Sequence, residues 1–95
     1  MNRVRYKLVL AQITHHPKTW KQTVWHCGSQ HCFAGLAQVL AGSLPRADQT
    51  YFDAKDFLAL TYSEADYLFA PGRTLQELTE FFEGGGPDWV KEGTP

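Results

Sequence analysis

Three times in the second half of the chain a hydroxyl residue stands three positions ahead of an acid: Thr50 before Asp53, Ser63 before Asp66, and Thr74 before Glu77. A side-chain oxygen at a helix start accepts one of the backbone N–H groups the first turn leaves unpaired, and an acid three residues on returns the bond. Thr74 with Glu77 matches this pattern in full; the other two are its Asp-bearing variant. Apolar residues at helical spacing follow each opening, which predicts helices over 51–60, 64–69 and 75–83. Their inward residues are Phe52, Phe57, Leu58 and Leu60; then Tyr67, Leu68 and Phe69; then Leu75, Leu78, Phe81 and Phe82. Pro71 and Gly72 make a turn. Gly84, Gly85, Gly86 and Pro87 close the expected domain, 1–84, and leave a Gly/Pro-rich tail over 85–95.

The first half is read from weaker signals. Over 3–13 Val4, Tyr6, Leu8 and Leu10 alternate as in a strand, whereas Tyr6, Val9, Leu10 and Ile13 keep helical spacing. Good helix formers, a stop at Pro17 and the lack of a convincing partner strand favour a helix, with an N-terminal strand as the alternative. An irregular connection punctuated by Pro17 and Gly28 supplies Trp20, Val24 and Trp25 as core anchors. Ser29 is the expected N-cap of a helix over 30–41, with Gly42 past its end. Phe33, Leu36, Ala37 and Leu40 form its stripe, widened by Cys32, Gly35 and Val39. A glycine inside a helix costs about 1 kcal/mol against alanine, so Gly35 implies a close neighbour. The expected class is all-α: a single small domain of about five short helices around the central 30–41 helix.

Charge is unevenly placed. No acid precedes Ala47, while Arg3, Arg5, Lys7, Lys18, Lys21 and Arg46 lie in that half; all ten acids follow, against Lys55, Arg73 and Lys91. The halves are expected to attract each other; the basic residues are too scattered for a nucleic-acid patch. No apolar run approaches a membrane span. The N-terminal apolar segment, interrupted by Lys7 and Gln12, is too short for a secretory signal, and a cytoplasmic protein is expected.

Cys27-Gly28-Ser29, then Cys32, then Ala34-Gly35 resembles the pattern CG[TS]-x-x-C-x-A-G of small helical proteins encoded in bacterial and bacteriophage genomes. The flanks "HHPKTW", "LALTYSEADYLF" and "RTLQELTEFF" extend the similarity over most of 4–83. Ser29 replaces the more usual threonine and preserves capping, whereas His26 and His31 stand outside the pattern. The resemblance implies a helical fold and no particular activity.

The stretch "HCGSQHC" gathers cysteines and histidines, and four readings of it differ in chemistry. Zinc takes four ligands in a tetrahedron; Cys27, Cys32, His15 and His26 supply the types, with His16 as an alternative to His15. Four neighbouring residues on one ion conflict with the chain, since His31 and Cys32 are about 100° apart on a helix. A reactive thiol at a helix start, Cys32, could take His26 or His31 as its base, but no polar residue presents itself as the orienting third group. A Cys27–Cys32 disulfide suits the spacing but not a reducing compartment. The remaining reading, small buried hydrophobes at a crowded helix start, is preferred.

Two candidate surfaces remain. Trp20, Lys21, Trp25, His26, Ser29 and His31 would stack on and neutralise a small anionic ligand such as a nucleotide. Phe81 and Phe82 are adjacent and cannot share one stripe, and Trp89 stands in the tail; these suit a protein partner or a homodimer contact. The resulting expectation is a non-enzymatic binding protein without a cofactor, a regulator or inhibitor docking on a larger protein. An anion-binding module and a zinc-stabilised module are the alternatives.

Overall fold

Residues 3–13 form a helix and not a strand. Helix α1 (Arg3–His15) starts where the Asn2 side chain accepts the Arg5 N–H at 3.1 Å, and it ends ahead of a 3-10 turn, Pro17–Thr19. The computed structural model describes residues 1–24, 26–27, 30–43, 46–84 and 86–91, with backbone alone for Cys27, Ala47 and Lys91. Tyr6, Val9 and Ile13, at helical spacing, bury one face of α1.

The central helix begins later than the expected 30–41. Two-residue strands β1 (His26–Cys27) and β2 (Gln30–His31) pair antiparallel, with His26 opposite His31, and helix α2 (Phe33–Leu40) follows. Cys32 has extended backbone and its Sγ accepts the Gly35 N–H at 3.3 Å, so the thiol is the cap. Ser29, the expected cap, and Trp25, an expected core anchor, lie outside the described residues. Trp20 and Val24 are half-buried. Phe33, Leu36 and Ala37 are buried as expected, but Val39 and Leu40 are exposed, and Gln38 takes the inward place with no exposure at all. Gly42, at φ +78, ends α2: its N–H reaches the Val39 carbonyl and that of Ser43 the Gln38 carbonyl. This double bond pattern needs a left-handed residue, hence the glycine.

The three expected capping pairs fare differently. Helix α3 (Ala47–Leu58) starts four residues before the predicted 51–60, so Thr50 sits inside its first turn and bonds to the Arg46 carbonyl and to Gln38 Oε1, each at 3.0 Å. Phe52, expected inward, is 52% exposed. Helix α4 (Tyr62–Leu68) is boxed by Thr61 and Glu64, two residues upstream of Ser63 and Asp66. Helix α5 (Leu75–Gly84) opens on Thr74 and Glu77 as expected. The Thr74 N–H, then the Arg73 guanidinium, hold the Glu77 carboxyl below its ordinary pKa. The ordered fold also passes the expected limit at 84: helix α6 (Asp88–Lys91) buries Val90 to 3% exposure. Gly86 makes the bend at φ +74, where a Cβ would lie 2.6 Å from the Phe81 ring. The domain is all-α, with six helices among the described residues and a minimal hairpin.

Tyr6 joins the layers. Its ring, fully buried, lies 4.9 Å from Phe33 of α2 and 5.4 Å from Phe82 of α5, and its hydroxyl donates to the Leu78 carbonyl at 2.6 Å. Burial, with the nearby Tyr67 and Glu64 adding to it, pushes the phenol far above its usual pKa, so it stays a neutral donor. The two halves of the chain do meet, and the arginines of α1 do so through carbonyls and rings. Arg3 donates to the Phe82 carbonyl and Arg5 to the Phe57 carbonyl, both at 3.0 Å, each guanidinium lying over the ring of the same phenylalanine. Among the described residues the two ion pairs, Arg46–Asp48 and Arg73–Glu77, are local. Tyr6→Ala is expected to lower the unfolding free energy by about 3–5 kcal/mol through the cavity it leaves. Tyr6→Phe, losing one hydrogen bond, should cost about 1 kcal/mol. Urea titration of both variants checks the ratio.

Candidate functional site

The hairpin and the segment before it are fixed by two buried glutamines. Gln22, 8% exposed, donates from Nε2 to the carbonyls of Leu68 and Ala70 at the end of α4, at 3.0 and 2.9 Å. Its Oε1 accepts the Phe33 N–H at the start of α2 and the Trp20 indole N–H, both at 3.0 Å. Strand β2 is held on its other side as well, since the Lys21 N–H donates to the His31 carbonyl at 2.8 Å. Gln38 behaves likewise. Its Nε2 donates to Asp53 Oδ2 at 2.9 Å and to the Arg46 carbonyl at 3.2 Å. Its Oε1 faces His26 Nε2 at 2.7 Å and accepts from Thr50. Among the described residues no buried side-chain nitrogen or oxygen lacks a partner.

This network sets the His26 tautomer. Both acceptors around Gln38 Nε2 lack protons to give, so Gln38 must present its oxygen to His26, and His26 Nε2 carries the hydrogen. Neutral His26 therefore has a bare Nδ1. That nitrogen lies 2.6 Å from Nδ1 of His31 across the hairpin, with the two rings nearly perpendicular. One hydrogen, on His31 Nδ1, satisfies the contact. Burial and the neighbouring His26 lower the His31 pKa, so this ring stays neutral at pH 7.

Beside the hairpin opens a cleft of about 430 Å³ lined by Gln22, Thr23, Val24, His26, Cys32, Phe69 and Pro71. Of the residues expected to bind an anion, only His26 lines it among those described. Trp20 turns its indole to Gln22, Lys21 is exposed beside β2, and His31 faces a smaller hollow with Gln12 and Leu36. Among the described residues no lysine or arginine stands in the cleft wall, and those that line it give a largely apolar surface. The expected metal set is not assembled either. His15 lines a hollow between α1 and α5 with Phe82, apart from His26 and Cys32, and the Cys27 side chain is not described. Among the described residues no three His, Cys, Asp or Glu side chains group around one point. Cys32 is a buried free thiol whose pKa burial raises, against the backbone N–H bonds that pull it down. The expected partner patch is dispersed too: Phe81 is core, Phe82 is half-buried beneath Arg3, and Trp89 is 55% exposed with its ring against Tyr67.

Gln22, Gln38, Thr50 and Asp53 were not expected at the site. Glutamine carries no burial signal in a sequence, and Thr50 and Asp53 read as a capping pair. The outward apolar residues Val4 and Leu8 carried a signal in the apolar positions all round 3–13.

Gln38→Leu keeps the volume and strands the partners of the amide; it is expected to destabilise the fold by roughly 2–4 kcal/mol, measured by denaturant unfolding. For Cys32 the expectation is slow alkylation in the folded protein at pH 8 and labelling at the rate of a free thiol after unfolding, followed by peptide mass mapping. No protein-family model, curated protein or solved structure matches the chain, and the functional reading rests on this geometry.

Proposed function

We propose that the protein is a small non-enzymatic binding protein that docks on a larger protein through the outer face of α1, acting as a regulator or inhibitor by occupancy. The observation that carries this is the second apolar row of that helix. Val4 and Leu8, one turn apart, are 74% and 54% exposed, on the side opposite Tyr6, Val9 and Ile13. An apolar row on the outside of a surface helix is the signature of a contact yet to be made, because each such side chain gains about 1.5–3 kcal/mol on burial. The helix carries Arg3, Arg5 and Lys7 and no acid. A symmetric pairing of two α1 helices would set cations against cations, so the fitting occupant is a different protein, with an apolar surface rimmed by acids. Among the described residues no helix is long and apolar enough to cross a membrane; this reading places the protein in the cytoplasm, that of an infected host if it is phage-borne, as the resemblance allows.

A second reading rests on the cleft beside the hairpin, whose volume lies within the range of small-molecule pockets. Its wall favours an uncharged ligand over the anion expected from Lys21 and the tryptophans.

The docking reading is tested with a photo-crosslinking residue in place of Leu8, used in cells to capture and identify the protein bound there. Leu8→Glu, on an exposed position, should leave the helical circular dichroism unchanged and weaken the purified pair at least tenfold in titration calorimetry. Equal affinity of Leu8→Glu and the parent protein sinks the reading.

A further inference from the structure

We propose that His26 and His31 form a binding site for a divalent imidazole-loving metal ion, of which Zn2+ is the representative, each through Nδ1. The hairpin register sets the two residues directly opposite, and their Nδ1 atoms already face each other at 2.6 Å. The outer bonds are those a metal-binding histidine uses. His26 donates Nε2–H to Gln38, which is itself fixed by Asp53, and this leaves the Nδ1 lone pair aimed across the hairpin. These bonds fix the ring and tautomer of His26 before an ion arrives.

His31 makes no hydrogen bond through Nε2 among the described residues. Its proton therefore moves from Nδ1 to Nε2 when the ion takes the Nδ1 lone pair, and both rings stay neutral. Two nitrogens on a tetrahedral zinc stand about 3.3 Å apart for bonds of about 2.05 Å. The pair must widen by about 0.7 Å from its present spacing, through the partly exposed His31 ring. Two described side chains converge here, and an ion held by them alone would complete its shell with water, an open site of moderate affinity. Zn, Ni and Cu suit imidazole; Mg2+ and Ca2+, which want oxygen, do not.

The test is titration calorimetry of Zn2+ into metal-free protein at pH 7.4, joined to X-ray absorption at the zinc edge. One saturable equivalent with a micromolar Kd, and nitrogen or oxygen neighbours only, is the expected result. His31→Gln should lower the affinity at least tenfold, while the paired substitution of the exposed His15 and His16 by Gln leaves it unchanged. His26→Gln also disturbs the Gln38 network and can unfold the hairpin. His31→Gln is therefore the deciding variant, since its ring hydrogen-bonds only to His26 among the described side chains. Absence of saturable binding up to millimolar zinc overturns the proposal. So does affinity that survives His31→Gln, or a sulfur neighbour lost in Cys27→Ser or Cys32→Ser.

Discussion

A primary amide has two N–H donors and an oxygen with two lone pairs, and in this fold two such groups use all four. Gln22 closes the gap between the start of α2 and the end of α4; Gln38 closes that between the hairpin, α2 and α3. Helix ends leave backbone groups unpaired, and in a domain this small they lie close to the core, where water cannot serve all of them. A buried amide meets that demand from both sides, donor to carbonyls and acceptor to N–H. Without Gln22 the Phe33 N–H and the Leu68 carbonyl would lose the partner that joins their elements.

How far the sequence reveals this depends on how local each signal is. Thr74 with Glu77 is a complete local unit, and it appears in the structure where the pattern puts it. Thr61 with Glu64 is equally local but overlaps Ser63 with Asp66, and the chemistry decides between them: glutamate reaches back to the cap N–H, and the shorter aspartate reaches less well. Thr50 misleads because its hydroxyl is recruited by Gln38, a residue twelve positions away, and nothing near it records that. The late start of α2 has the same origin. A hairpin of four paired residues is too short to show alternation, and the strand Gln30–His31, paired with β1 and docked by Lys21, leads into the extended cap residue Cys32. Gln38, between Ala37 and Val39, reads as the solvent side of a stripe, while Val39 and Leu40 in fact take the solvent and Gln38 the interior.

The division of charge along the chain has a resolution that residue counting does not suggest. Arg3 and Arg5 reach carbonyls in the last turns of α5 and α3, where the helix leaves acceptors free and the dipole is negative, and each lies over an aromatic ring. A guanidinium suits this better than an ammonium, since its planar fork donates in the ring's vicinity while its face stacks. Exposed pairs with carboxylates would add little, because solvent screens them. The first helix is thereby bound to both later helices by the same two residues, and its outer row, Val4 and Leu8, is left facing solvent.

The interior is otherwise chemically quiet. Cys32 caps a helix, Tyr6 bonds a carbonyl, and every described buried side-chain nitrogen or oxygen has a partner. Reactive lone pairs occur where that saturation stops, and it stops at the hairpin. Going outward from Asp53 through Gln38 to His26, each group is fixed by the one before it; at His31 the chain of hydrogen bonds ends on a half-exposed ring. One imidazole is thus bonded on both nitrogens, and its neighbour on Nδ1 alone among the described residues. A ligand entering between them meets an oriented lone pair on one side and an adjustable one on the other. On the metal-site proposal, an ion would take the Nδ1 lone pair of His26 in place of the His31 N–H that it now accepts.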